Sequence, residues 1–191
     1  MLSTLYIARE VTELVNRHHT RCPYELCERL DIYIHHKDLG HDIKAYYFCQ
    51  SRIRNIVINS RVSETVKRIL VAHELGHDRL HSHIATLKGF KELDLFDMAT
   101  PTETEANLFA AELLIQDQEL MELLNEEHMS FFEAAKILEV PPELLDFKFR
   151  ALKQKGYSVQ APYIAAGDFL GGQLDGCYAE EETWLSKESE K

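Results

Sequence analysis

His73-Glu74-Leu75-Gly76-His77 sets two imidazoles four residues apart with a carboxylate beside the first. On a helix, residues four apart share a face, so His73 and His77 can each turn a ring nitrogen toward one metal ion about 2.0–2.1 Å away. Glu74 is rotated off that face. It is poorly placed to ligate but well placed to take a proton from a metal-activated water, the division of labour that the H-E-x-x-H pattern requires. Chance alone would produce the pattern in a chain this rich in His and acid with a probability on the order of a few per cent, so its surroundings must decide.

The surroundings read as a helix. Val66, Ile69, Leu70, Leu80 and Ile84 recur at helical spacing, and Ser63 with Glu64 forms an N-terminal cap and acidic first turn. Both histidines therefore fall on the buried stripe. Two hydrogen-bonded core histidines are the plain alternative, but a metal satisfies their polar atoms more directly. Gly76, which costs a helix about 1 kcal/mol relative to Ala, implies close packing on that flank, read here as packing by a strand.

A catalytic zinc needs a third protein ligand and one open position. Glu103 is the candidate, on a helix that starts at Thr100 or Thr102 with Pro101 and turns Glu103, Ala106, Asn107, Ala110 and Leu114 inward. Glu105 points the other way. Asn107, one turn beyond Glu103, can hold the second nitrogen of a ligating histidine and so fix its tautomer. An ordinary acidic first turn would account for Glu103 and Glu105 equally.

His73-Glu74-Leu75-Gly76-His77 followed by Leu80-His81, then Glu103 to Asn107 running into Phe109-Ala110-Ala111-Glu112-Leu113-Leu114, resembles the ImmA/IrrE family of metallopeptidases. The strand-like Ile56-Val57-Ile58-Asn59 extends the resemblance, which spans about Asn55 to Leu114. It implies that His73, His77 and Glu103 are metal ligands and Glu74 the catalytic residue. It also implies a function, since members carried by phages and integrative elements cleave or otherwise inactivate a helix-turn-helix repressor. The chain departs from the family pattern in two places. Ile115-Gln116-Asp117 follows Leu113-Leu114 where Met-Pro is usual, and Asp78-Arg79 follows the second histidine where apolar residues are usual. Neither change touches the proposed ligands, so both bear on substrate choice more than on chemistry.

Length and charge bound the remainder. At 191 residues and 45% hydrophobic content, the chain can build one domain with a substantial core. It shows no apolar run of membrane-spanning length and no signal-peptide pattern at Met1-Leu2-Ser3-Thr4-Leu5, so a cytoplasmic location is expected. Cys22, Cys27, Cys49 and Cys177 lack C-x-x-C spacing and read as reduced, mostly buried thiols. A net charge of −11 opposes direct nucleic-acid binding and suits a basic protein partner.

The pattern along the chain is α+β. Helices are expected from about Leu5 to His18 and from Tyr24 to Leu30. Strands over Asp31–His35, Lys44–Cys49 and Ile53–Asn59 are expected to pair as a small antiparallel three-stranded meander, with zincin-like helices gathered on one face. Residues 1–125 form the zincin-like domain in this reading, residues 126–157 a helical hairpin resembling a helix-turn-helix and packed on it, and residues 158–191 a flexible tail. In the hairpin Ser130 caps a helix reaching Leu138, and Val140-Pro141-Pro142 precedes a second one through Leu152. The hairpin is read as packing, because the charge opposes groove reading. In the tail, Phe169 and Trp184 are candidate docking anchors and Cys177 a candidate thiolate for the metal's open position.

His81 has two readings: a partner of the ligand shell, or a helix-terminal histidine held by the dipole. His83 is expected in solvent, and His18-His19 and His35-His36 are read as incidental. Tyr46, Tyr47 and His81 are candidate donors to an oxyanion. The sequence thus points to a zinc endopeptidase acting on a helix-turn-helix repressor, its substrate chain lying extended along the sheet edge. The alternative is a non-proteolytic, metal-containing protein that captures the repressor. A purely structural zinc would normally be closed by a fourth Cys or His and would leave Glu74 without a task.

Overall fold

Strand pairing in this chain follows from which strand can be buried on both faces. In the computed structural model, which describes residues 2–41, 43–87 and 100–160 with the side chains of 82–87 excepted, that strand is β3. The three strands are β1 (Ile32–Lys37), β2 (Ala45–Gln50) and β3 (Ile53–Asn59), in the spatial order β1-β3-β2. Asn55 through Asn59 are all buried, whereas β1 runs out into exposed His36 and Lys37. An apolar, doubly covered strand belongs at the centre of a sheet and a charged one at its edge. β2 and β3 form a hairpin whose two turn residues, Ser51 and Arg52, both have positive φ, the tight turn that matches strand twist.

The expected antiparallel meander is therefore corrected. β1 pairs parallel with β3, Ile34 opposite Ile56, while β2 pairs antiparallel, Tyr47 opposite Ile56. The sheet is small, three-stranded and mixed, and the fold is α+β.

The helices are α1 (Thr4–His18), α2 (Pro23–Arg29), α3 (Glu64–Leu87), α4 (Pro101–Leu114), α5 (Asp117–Leu124), α6 (Phe131–Ile137) and α7 (Pro142–Gln154). Local chemistry sets their ends. The Ser3 side chain accepts from the Tyr6 amide, α1 stops at left-handed His19, and Ser130 with Glu133 closes a reciprocal capping box on α6. Alternation along the strands puts Ile32, Ala45, Tyr47, Ile56 and Ile58 on one face, against which α3 packs.

α4 is the central helix. It packs against α3, α1 and α7, and every residue from Glu105 to Leu113 is buried. The single inward face expected for it is thus too narrow, and Leu114, placed on that face, is only half-buried. Gly76 meets this helix rather than a strand. A Cβ there would lie 3.2 Å from both Ala106 Cα and Phe109 Cβ, so glycine is what lets α3 and α4 approach.

Among the described residues Cys22, Cys27 and Cys49 are free thiols. Only Cys27 is fully buried, and burial pushes its thiol up to about 12. No helix among them is long and apolar enough to cross a membrane. The side chain of His83, the stretch from Phe90 to Asp94 and the tail anchors Phe169, Cys177 and Trp184 lie outside the described residues.

Candidate metal centre

α3 supplies His73, Glu74 and His77, and α4 supplies Glu103 from its first turn, where the Thr100 hydroxyl caps the helix by accepting from the Glu103 amide at 3.4 Å. Close approach at Gly76 brings the two helices' side chains to one point. His73 Nε2 lies 3.1 Å from Glu103 Oε2, His77 Nε2 lies 3.3 Å from Glu103 Oε1, and the two Nε2 atoms are 3.1 Å apart. All three residues are substantially buried.

This donor set fits a metal ion. Ligands about 2.0–2.1 Å from a tetrahedral zinc are themselves about 3.3 Å apart, close to the spacing found here. Hydrogen bonding on the far side of each ring points the same way. His73 Nδ1 donates to the Asn107 carbonyl oxygen at 2.8 Å, which leaves a lone pair on Nε2. His77 Nδ1 contacts His81 Nδ1 at 3.2 Å, which allows the same assignment. Two ring lone pairs and a carboxylate then face one another, an arrangement that a bound cation satisfies.

The acid–base directions agree. Burial works against a charge on Glu103, yet its bonds to His73 and His77 hold its carboxyl down at about 2. Burial likewise disfavours charge on both rings. Glu103 outweighs it at His73, whose pKa is raised, but not at His77, whose pKa is lowered.

Glu74 is a different kind of carboxylate. It is buried, one oxygen accepts from the Tyr47 amide, and Oε2 has no partner among the described residues. Burial raises its pKa to about 7, the range suited to moving protons near neutrality. Tyr47 can offer its amide because of strand register. The Asn59 amide donates to the Lys44 carbonyl at 2.8 Å, so in an antiparallel ladder Tyr46 and Phe48 bond β3 and the backbone groups of Ala45, Tyr47 and Cys49 point away from it.

Asp78, one of the two departures from the family pattern, has a structural role. It is buried, accepts from the Tyr47 hydroxyl at 2.9 Å and pairs with Arg54 at 3.2 Å, and Arg54 also donates to the Leu30 carbonyl. A polar residue on the helix thereby ties α3 to β2 and β3. Two of the expected oxyanion donors are corrected on the same evidence: the Tyr47 hydroxyl is committed to Asp78, and His81 to His77 and Glu105. Tyr46 lies on the opposite face of β2 from Tyr47, its ring 5.9 Å from Phe48.

His81 closes the first of the two helical segments that make up α3. It sits within α3 at a kink where the backbone leaves helical geometry (φ −129°, ψ 15°), and its Nε2 is 2.8 Å from Glu105 Oε2. Glu105, read as merely turned away, is 4% exposed and also accepts from the Leu2 amide. Sequence reasoning missed it because its partners are His81, at a kink that no Gly or Pro announces, and the Leu2 amide, 103 residues away. His35, read as incidental, bonds Asn55 on the outer face of the sheet at 2.9 Å.

A histidine pair with an adjacent buried carboxylate on one helix, and a third donor on the helix packed against it, is the arrangement of a metallopeptidase centre. Comparison with known proteins agrees: residues 27–150 match the model of the peptidase family M78 described as the IrrE N-terminal-like domain, and the chain belongs to that family. It is 34% identical to an uncharacterized immunity region protein 2 of Bacillus phage phi105 over 142 residues, covering 74% of this chain and 88% of that protein. It is 29% identical to the metallopeptidase ImmA of Bacillus subtilis (strain 168) over 162 residues, covering 84% of this chain and 94% of the relative. Membership implies a bound metal, for which His73, His77 and Glu103 form a possible site.

Proposed function

We propose that the chain is a zinc-dependent endopeptidase of the cytoplasm that cleaves, or otherwise inactivates, a helix-turn-helix repressor of a phage or mobile element. The observation that carries the enzymatic part is Glu74: a buried carboxylate with one oxygen oriented by the Tyr47 amide and the other unpartnered among the described residues, next to the three-donor cluster. A site built only to hold the fold would have no use for it. Kinship to a phage immunity region protein and to ImmA supports the repressor, and the net charge of −11 suits a basic partner.

His73, His77 and Glu103 would hold the ion. Once bound, it supplies Lewis acidity, acidifying a water and polarising the scissile carbonyl. Glu74 takes the water's proton as the oxygen attacks the carbonyl carbon, then delivers that proton to the departing amide nitrogen. The Tyr47 amide keeps Glu74 aimed during both transfers. A substrate strand added at the free edge of β2, where Cys49 turns its backbone groups outward, would fix which carbonyl reaches the site.

The test is co-expression with a helix-turn-helix repressor carried on the same genetic element, followed by intact-mass analysis. Wild type should yield two repressor fragments, and Glu74→Gln should keep the metal while cleaving at least ~10²-fold more slowly. Equal cleavage by the two proteins would overturn the mechanism. Repressor inactivation without fragments would replace it with non-proteolytic capture.

A further inference from the structure

The two histidines of the metal cluster are braced in different ways. His73 uses one short contact, Nδ1 to the Asn107 amide oxygen at 2.8 Å. His77 is braced by a chain: its Nδ1 is 3.2 Å from His81 Nδ1, His81 Nε2 is 2.8 Å from Glu105 Oε2, and Glu105 Oε1 accepts from the Leu2 amide at 2.5 Å. His81 and Glu105 are both buried, and the one non-helical residue inside α3 is His81 itself. The break therefore falls at the ring that bridges two helices.

Proton placement along the chain follows from chemistry. A neutral imidazole that presents the Nε2 lone pair must carry its proton on Nδ1. His77 Nδ1–H then faces His81 Nδ1, which has to be the acceptor. Neutral His81 in turn carries its proton on Nε2, and the acceptor waiting there is the Glu105 carboxylate. Reversing either ring would set lone pair against lone pair or donor against donor in a buried place. The direction is thus fixed from the far end, by a residue that does not touch the metal cluster.

We propose that His81 and Glu105 are positioning residues, a carboxylate–histidine relay that holds His77 in its metal-binding tautomer and orientation. The relay rests on the reading of His73, His77 and Glu103 as a metal site. It links the N-terminal part of α4 to that site twice, through Glu103 directly and through Glu105 by way of His81. It also connects the site to the segment ahead of α1, through the Leu2 amide.

The test measures Zn2+ affinity of the full chain by chelator competition, with no peptidase assay involved. His81→Leu and Glu105→Ala should each weaken Zn2+ binding about 10–100-fold, and the double variant no more than the worse single, because both act through one chain. His81→Asn places an amide oxygen where Nδ1 stood but cannot reach Glu105, so it should lose less affinity than His81→Leu while falling short of wild type. In zinc-loaded wild type, nitrogen NMR of labelled histidine should show His81 with its proton on Nε2. Wild-type affinity in His81→Leu and Glu105→Ala, with binding abolished in Glu103→Ala, would overturn the relay and leave the metal site standing. Equal losses in His81→Asn and His81→Leu, or a proton on Nδ1 of His81, would also overturn it. Undiminished binding by Glu103→Ala would instead overturn the metal site on which the relay depends.

Discussion

α4 carries a buried carboxylate near each end, and the two are satisfied in opposite ways. Glu112 meets cations of the chain's own: Lys148 at 3.0 Å and Lys155 at 2.7 Å, with Asp117 completing a four-membered ion cluster. Glu103 meets two histidine nitrogens at 3.1 and 3.3 Å. A carboxylate that finds lysine is closed within the fold, whereas one that finds imidazole lone pairs is a seat for a charge from outside. Burial of acid on this helix is therefore no guide to function by itself. The partner's chemistry is.

The sharpest way to break this contrast is to remove each carboxylate in turn. Glu112→Ala leaves Lys148, 1% exposed, with the partly exposed Asp117 as its counterion, and unfolding free energy should fall by about 2–3 kcal/mol in urea titrations, less than for a buried charge left wholly unpaired. Metal stoichiometry should stay at one per chain. Glu103→Ala should do the reverse: metal is lost, while stability of the metal-free protein stays within about 1 kcal/mol of wild type or rises, as for residues placed for function. Equal destabilisation of the metal-free proteins would make Glu103 a structural ion-pair member and erase the distinction.

Gly76→Ala probes the helix approach on which only the Glu103 end depends. The new methyl would sit 3.2 Å from Ala106 Cα, a backbone atom that cannot swing aside. Overpacking costs of about 1–3 kcal/mol outweigh the roughly 1 kcal/mol gained in helix propensity. Thermal unfolding should show the net loss. Metal affinity should fall with it, because His73 and His77 ride on α3 and Glu103 on α4. The Glu112 cluster, which joins α4 to α7, should leave its own contribution unchanged.

These two ends also differ in how legible they were. The convergence of His73, His77 and Glu103, with Asn107 behind His73, follows from helical spacing on two helices close in sequence, and local periodicity carries that information. Glu112 could not be read, since Lys148 and Lys155 lie a helix hairpin away and nothing local marks a buried acid. His81 was legible as a partner of the ligand shell, but its link to Glu105 was not, because it forms at a kink that no Gly or Pro announces. Strand positions were legible from β-branched and aromatic runs. Their order was not, because the parallel β1–β3 pairing depends on β3 outcompeting β2 for the centre. Asp78 reads in the sequence as a departure bearing on substrate choice, and only its partners Tyr47 and Arg54 show its structural role.

A smaller effect tests whether the helices beyond α4 form independently of the metal end. Ser130 and Glu133 cap α6 reciprocally, with the Ser130 hydroxyl accepting from the Glu133 amide at 3.2 Å and the Glu133 carboxylate accepting from the Ser130 amide at 3.0 Å. Ser130→Ala should cost about 1 kcal/mol of unfolding free energy and leave Zn2+ affinity untouched. A change in affinity would mean that strain at α6 reaches Glu103 through α7 and α4, and the two ends would no longer count as separate.

The smallest effect is a pH dependence confined to the lysine end. Burial tends to raise the Asp117 pKa, but bonds from Lys148 and Lys155 outweigh it and hold the carboxyl below its ordinary value of 3.8. A carboxyl with a depressed folded-state pKa contributes stability above its unfolded pKa and loses it as pH falls through the folded one. The window therefore lies from 3.8 downward, with the full contribution present at neutral pH. Asp117 is about one-third exposed at 32%, so solvent screens the interaction and the loss should stay below about 1 kcal/mol. Urea titrations of metal-free wild type and Asp117→Asn between neutral pH and pH 3 should show the variant falling less steeply at the acid end. Working on metal-free protein keeps protonation of His73 and His77 from displacing an ion in the same range. Parallel curves would show that Lys148 and Lys155 are held by Glu112 alone, and the cluster would shrink from four members to three.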